Sequence, residues 1–191
     1  MNARKILMGV TGGIAVYKAC EVVRLLVKEG NEVRVIMTKN AAKFVTPLTF
    51  EVLSRRHVPG DMFAPRDSDP VEHVEAAAWC DLFAIVPATA NIIGKLASGI
   101  ADDMLSTIAM AVPPATPRLL APAMNVRMWE NPVLQRNLHF LTGEAGGRFG
   151  VISPVEKELA CGDVGVGGMA APDDIRTAIH SALEKAGFSG S

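Results

Sequence analysis

The sequence predicts a doubly wound, Rossmann-like α/β fold built on one parallel sheet in a single domain. Three observations carry this. Short apolar runs at Lys5–Val10, Glu32–Met37 and residues 82–87 are nearly continuous, as strands buried on both faces must be. Helical patterns separate them, giving repeated βαβ units. The first strand passes into the first helix through a glycine loop, Gly9-Val10-Thr11-Gly12-Gly13-Ile14-Ala15.

The elements follow in order. Residues 13–29 keep a helical apolar face through Ile14, Tyr17, Val22, Leu25 and Leu26, and Gly30-Asn31 supplies the stop. Residues 39–44 and 47–53 read as short helices, and 59–70 as a polar, proline-containing loop. A short helix at 74–79 leads into the third strand. Residues 91–98 and 104–110 are helical, with a shorter fourth strand at Arg118–Pro122 beyond them. Asn131-Pro132 pairs an N-cap with proline at the first helical position and opens a helix to about Leu141. Residues 153–171 are glycine-rich and aperiodic, and read as a loop. Residues 173–186 form a last amphipathic helix, and 187–191 a frayed tail.

The 191 residues suit one domain, and 49% apolar with 20% charged residues is globular. A net charge of −1 gives no electrostatic reason to expect nucleic acid or anionic lipid as a partner. The N-terminal apolar run is too short for a signal segment, and no stretch reaches the roughly 18 apolar residues of a membrane helix, so a cytoplasmic protein is expected. Cys20, Cys80 and Cys161 fit neither a zinc pattern nor a disulfide framework. Cys20 and Cys80 read as buried thiols.

Open α/β sheets bind ligands beyond the carboxyl ends of their strands. Thr11-Gly12-Gly13, Thr38, residues 87–91 and residues 122–125 fall there. The glycine loop at a helix N-terminus suits a phosphate, the alternative being a tight turn without ligand. It departs from G-x-G-x-x-G, and Met37-Thr38 stands where a dinucleotide site would want an acidic residue, so a mononucleotide fits better than NAD. The P-loop pattern is also absent.

Several motifs carry a resemblance. Val10-Thr11-Gly12-Gly13-Ile14-Ala15 with Tyr17-Lys18-Ala19, then Thr46-Pro47-Leu48-Thr49-Phe50, resemble the opening of the flavin-containing cysteine decarboxylases. Pro87-Ala88-Thr89-Ala90-Asn91 is similar to their PA[ST]AN motif. Residues 99–106 match the segment after it, and Pro122-Ala123-Met124-Asn125-Val126-Arg127-Met128-Trp129 resembles P-x-M-N-x-x-M-W. Leu159-Ala160-Cys161-Gly162-Asp163-Val164-Gly165 resembles the substrate clamp of phosphopantothenoylcysteine decarboxylases, although Val166-Gly167-Gly168-Met169 replaces the usual Pro-Gly-Arg-Met.

The resemblance implies a flavodoxin-like fold and FMN, held by Gly12, Gly13, Ile14, Thr38, Thr89 and Ala90. It implies decarboxylation of 4′-phosphopantothenoylcysteine to 4′-phosphopantetheine in coenzyme A biosynthesis. The flavin oxidises the thiol side chain to a thioaldehyde, CO2 leaves to give an enethiolate, and hydride returns. His73 is implied as general base, with a solvated surface histidine as the alternative. Asn125 is implied as donor to the substrate carboxylate, with helix capping as its alternative. Cys161 is implied as proton donor, with an inert cysteine as alternative. Met124, Ala160 and Gly162 complete the implied substrate contacts. For Thr89 the alternative is again a helix cap. Met128 and Trp129 read as wall and packing; His57, His139 and His180 read as ordinary surface or packing residues. A homotrimer, or a higher assembly of trimers, with sites between protomers is implied. A ligase domain often follows this domain in the family. Competing readings are a peptidyl-cysteine oxidative decarboxylase, a flavin prenyltransferase, or a non-catalytic flavoprotein-like subunit; the first and second typically lack the clamp cysteine.

Overall fold

The first strand, β1 (Lys5–Val10), shows how the sheet is built, because its side chains alternate between two cores. Ile6, Met8 and Val10 enter one core, and Leu7 the other. β3 (Leu82–Ala88), buried along its whole length, does the same: Leu82, Ala84 and Val86 face one way, Phe83 and Ile85 the other. The computed structural model describes residues 3–59, 72–147, 149–158 and 164–188.

Five parallel strands lie in the order β2-β1-β3-β4-β5, with β2 at Glu32–Met37, β4 at Arg118–Pro122 and β5 at Gly150–Val151. On one face pack α1 (Val16–Lys28), α2 (Pro47–Ser54) and α8 (Pro172–Lys185). α1 buries Val16, Ala19, Val22, Val23 and Leu26, spaced as one helical face requires. It stops at Gly30, whose φ of 86° is the left-handed conformation that glycine adopts without a Cβ penalty.

On the other face pack α3 (Glu72–Trp79), α4 (Ala90–Ala97), α5 (Met104–Ala111) and α7 (Pro132–Thr142). Gly9 lets α5 approach β1, since a Cβ there would collide with Leu105 Cδ1. Phe83 is fully buried in this core, and its truncation to alanine would cost about 3–5 kcal/mol. α6 (Val126–Trp129) is a single turn after β4. A separate antiparallel ribbon pairs β6 (Val155–Glu158) with β7 (Val164–Gly168). No helix among the described residues is long and apolar enough to cross a membrane.

The structure corrects the sequence reading in places. Residues 153–171 are not wholly loop: β6 pairs with β7 from Glu158 opposite Val164 to Val155 opposite Gly168, and the glycines of β7 mask any alternation. β5 is only two residues long and gives no apolar run. In place of a helix at 39–44 there is a 3-10 turn, Ala41–Lys43, set by Thr38, whose carbonyl and Oγ1 both accept from Ala41 N–H. Cys80 is buried as expected, and burial pushes its thiol up to about 11. Cys20 is only half-buried. His57 pairs with Glu51 and His180 with Glu29, each at 2.7 Å on the surface.

Candidate functional site

The sheet order 2-1-3 places a topological switch point at β1, where chain connections leave in opposite directions. A cleft of about 970 Å³ opens there. Its walls come from the loops after β1, β2, β3 and β4 and from the end of the ribbon. Gly12, Gly13, Ile14, Thr38, Thr89, Ala90, Met124 and Asn125 all line it, so residues distant in sequence converge there.

The loop after β1 is built for an anion. α1 begins at Ala15 with no side-chain cap and no acidic residue in its first turn. Val16 N–H and Lys18 N–H are used locally, by Gly13 O and Ala15 O at 3.0 Å each, and the positive dipole end of the helix lies at the cleft loop. Gly12 is needed for packing: a Cβ would lie 2.5 Å from Asn40 Cβ and 2.7 Å from its carbonyl carbon. Gly13 is different. A Cβ there would meet only Thr89 Cγ2, at an ordinary 3.7 Å, so protein packing does not demand a glycine. The room above Gly13 belongs to the cleft.

Thr11, which has no role of its own in the sequence analysis, ties the two central loops together. It is 2% exposed. Its Oγ1 donates to Pro87 O at 2.7 Å and accepts from Thr89 N–H at 3.1 Å. The only signal for it in the sequence was a hydroxyl at the end of an otherwise apolar strand. Thr89 takes the N-cap position of α4, but its side chain makes no capping bond. The capping alternative for that side chain is therefore not realised.

Asn125 does cap a helix. Its Oδ1 accepts from Arg127 N–H at 2.8 Å, which fixes the plane of the amide on the cleft wall. The capping bond uses the acceptor end, while the amide donors sit on the other atom. The turn before it is pinned by Met124 N–H, which donates to Gly167 O of the ribbon at 2.9 Å.

Charged residues missed in the sequence also reach the cleft. Lys95 pairs with Asp102 at 2.5 Å and Asp103 at 2.8 Å. Bonds from Asp102, then Asp103, raise the Lys95 pKa. For Asp103, burial pushes upward, but bonds from Lys95 and Ser106 outweigh it and hold the carboxyl below the usual range. Asp103 also closes a capping box with Ser106 on α5; the D-x-x-S spacing was its sequence signal. Lys18 and Lys157 face the cleft too. Burial, then the neighbouring Lys157 ammonium, lowers the Lys18 pKa.

One expected residue is not brought in. His73, at the start of α3, is not among the residues that line this chain's cleft. Cys161, Ala160 and Gly162 lie outside the described residues. Among the described residues no cluster of metal ligands occurs.

Comparison with known proteins gives the same direction. The coenzyme A biosynthesis bifunctional protein CoaBC of Bacillus subtilis (strain 168) is 47% identical over 175 residues, 92% of this chain. The chain spans 42% of that relative's length. The probable phosphopantothenoylcysteine decarboxylase of Streptococcus mutans serotype c is 41% identical over 182 residues, covering 94% of this chain and 99% of the relative. Among solved structures, a cysteine-to-serine mutant of PPC decarboxylase complexed with pantothenoylaminoethenethiol superposes with a TM-score of 0.84 at 32% identity, covering 96% of this chain and 100% of that one. The FMN binding protein AtHal3 gives 0.81 at 32% identity, over 96% and 98%. The Flavoprotein family matches residues 1–184, nearly the whole chain, and the chain belongs to that family.

Proposed function

We propose that this chain is an FMN-dependent decarboxylase that converts 4′-phosphopantothenoylcysteine to 4′-phosphopantetheine in coenzyme A biosynthesis, in the cytoplasm. One observation carries the cofactor: an uncapped helix N-terminus beside a glycine with unfilled space, at a switch-point cleft large enough for a mononucleotide. The substrate rests on the full-length likeness to the Streptococcus mutans relative.

In this reading Gly12, Gly13 and Ile14 hold the FMN phosphate, and Thr38, Thr89 and Ala90 border the rest. Bound FMN supplies the acceptor and later the donor of the hydride that moves from and to the substrate side chain. Asn125 donates from its amide to the substrate carboxylate. A neutral donor orients that group without the full opposite charge that would hold back CO2 loss. His73 takes a proton at the start of the oxidation, and Cys161 returns one after CO2 has left.

A homotrimer, or an assembly of trimers, completes the reading. His73 lies off the cleft of its own chain, while Leu48 and Val52 on α2 are 65% and 70% exposed and Ile14, Tyr17 and Phe44 are also exposed. Exposed apolar side chains, Ile14 and Tyr17 among them at the cleft itself, suit a second copy, and that copy's His73 completes the base position.

The test is a flavin absorbance spectrum of the purified protein, followed by mass analysis of the product from 4′-phosphopantothenoylcysteine. Bound FMN with loss of CO2 and a saturated thiol product is expected. A protein that takes up no FMN, or leaves the substrate intact, defeats the proposal.

A further inference from the structure

A second, smaller pocket adjoins the cleft. It holds about 280 Å³ and lies between the start of α4, the α6 turn and the beginning of α7. Ala90 and Met128 line both spaces. One stretch of chain runs from the cleft into the pocket. Asn125, Met128 and Asn131 follow at intervals of three; Asn125 lines the cleft, Met128 both spaces, and Asn131 the pocket. Backbone bonds hold this track in place. Trp129 N–H donates to Asn125 O at 2.9 Å, and Asn131 N–H to Met128 O at 3.3 Å.

The chemistry of the pocket differs from that of the cleft. Lysines and aspartates line the cleft, whereas among the described residues no charged side chain lines the pocket. Leu134 is packed into the core and gives a firm apolar floor. Val133 and Met128 are 55% and 47% exposed, so their apolar atoms still face open space. Two asparagines complete the walls. Asn131 Oδ1 accepts from Val133 N–H at 2.9 Å, and Asn137 Oδ1 accepts from an Arg136 guanidinium nitrogen at 3.0 Å. Both carbonyl ends are thus engaged, while neither Nδ2 donates to any group among the described residues. The pocket therefore offers amide donors and apolar surface without a charge. That suits a neutral chain with a branched carbon and carbonyl oxygens, and it is a poor seat for a phosphate or a carboxylate.

We propose that this side pocket seats the N-acyl arm of the substrate, and that Val133 and Asn137 select for it. The inference rests on the function proposed above. In that reading Asn125 takes the carboxylate of the cysteine unit. The acylated nitrogen is bonded to the same carbon as that carboxylate, so the arm begins beside Asn125. The track through Met128 to Asn131 gives it a neutral route out of the cleft. A pantothenoyl arm carries a dimethyl-substituted carbon and two amide carbonyls. The first matches Met128, Val133 and Leu134, and the second match the asparagine donors.

Steady-state kinetics of the FMN-loaded enzyme on 4′-phosphopantothenoylcysteine, read as CO2 release, test this. Val133→Trp fills the pocket from its exposed rim, and Asn137→Leu removes an amide donor; neither residue lines the cofactor cleft. Val133→Trp is expected to raise KM about tenfold and Asn137→Leu about three- to tenfold, with kcat, FMN affinity and Tm unchanged. Asn137→Gln keeps the amide and should recover part of the loss. An unchanged KM in either variant, or a fall in kcat and FMN affinity alongside it, overturns the pocket assignment, while CO2 release by the wild type leaves the proposed function standing. A wild type that binds FMN yet releases no CO2 refutes the proposed substrate, and the arm assignment falls with it.

Discussion

Replacing Thr11 by valine removes one hydroxyl and changes almost no volume, yet it should loosen the whole cleft. The hydroxyl serves two partners, Pro87 O and Thr89 N–H, at a site sealed from water. A buried carbonyl left without a donor costs about 1–3 kcal/mol. Thr89 N–H is less deeply buried and recovers part of its loss by hydration, so it adds about 1 kcal/mol. The sum is about 2–4 kcal/mol. For a chain of this size that lowers Tm by roughly 5–15 °C. The second consequence is local: the loops after β1 and β3 lose their tie, and FMN affinity falls by about tenfold or more. Thr11→Ser keeps the hydroxyl and loses a methyl group, costing about 1 kcal/mol. Thermal unfolding of apoprotein by circular dichroism and FMN titration by fluorescence quenching read the two effects separately. A valine variant that melts within about 2 °C of wild type, or a serine variant as weak as valine, refutes the reasoning.

Gly13→Ala should leave apoprotein stability unchanged or slightly raised, because the added methyl meets only Thr89 and glycine entropy is lost from the unfolded chain; FMN binding should fall about tenfold, whereas Gly12→Ala should lower Tm through its clash with Asn40. Asp103→Ala should cost about 1 kcal/mol at neutral pH through loss of the α5 cap. Its folded pKa lies below the unfolded value, so this contribution is complete above the ordinary carboxylate range and disappears as pH falls through the folded pKa; wild type and variant should converge in acid denaturation midpoints. Mixing His73→Asn with Asn125→Asp should restore CO2 release that neither shows alone, if each site takes residues from two copies; no recovery after co-refolding would remove the shared site. Cys161→Ser should still bind FMN and release CO2 but accumulate a product two mass units below phosphopantetheine, seen by mass spectrometry.

The parallel sheet was legible because burial on both faces leaves continuous apolar runs, and β1, β2, β3 and β4 all showed them. The strand ends then located the cleft residues from Gly12 to Asn125. What stayed hidden has more than one cause. The ribbon is composed of glycine, valine and charged residues, and glycine at three of the five positions of β7 removes the alternation that marks a strand. Lys18 and Lys157 each look like ordinary solvated charges until the fold places them together. Thr11 is a similar case, since its partners lie at the end of β3 and at the cap of α4. His73 shows a different limit: its suggested role came from resemblance, and one chain's fold does not bring it to the cleft.

The bond from Met124 N–H to Gly167 O joins the ribbon to the turn that presents Asn125. It also bars every side chain at 167, because a Cβ there would strike Met124 O. That amide proton is consequently a built-in reporter. It can exchange with deuterium only when β7 lifts away from the Asn125 turn, so a single resonance clocks how often the two segments part. A ligand gripped between them should slow that clock, and one bound elsewhere in the cleft should leave it running at its original rate.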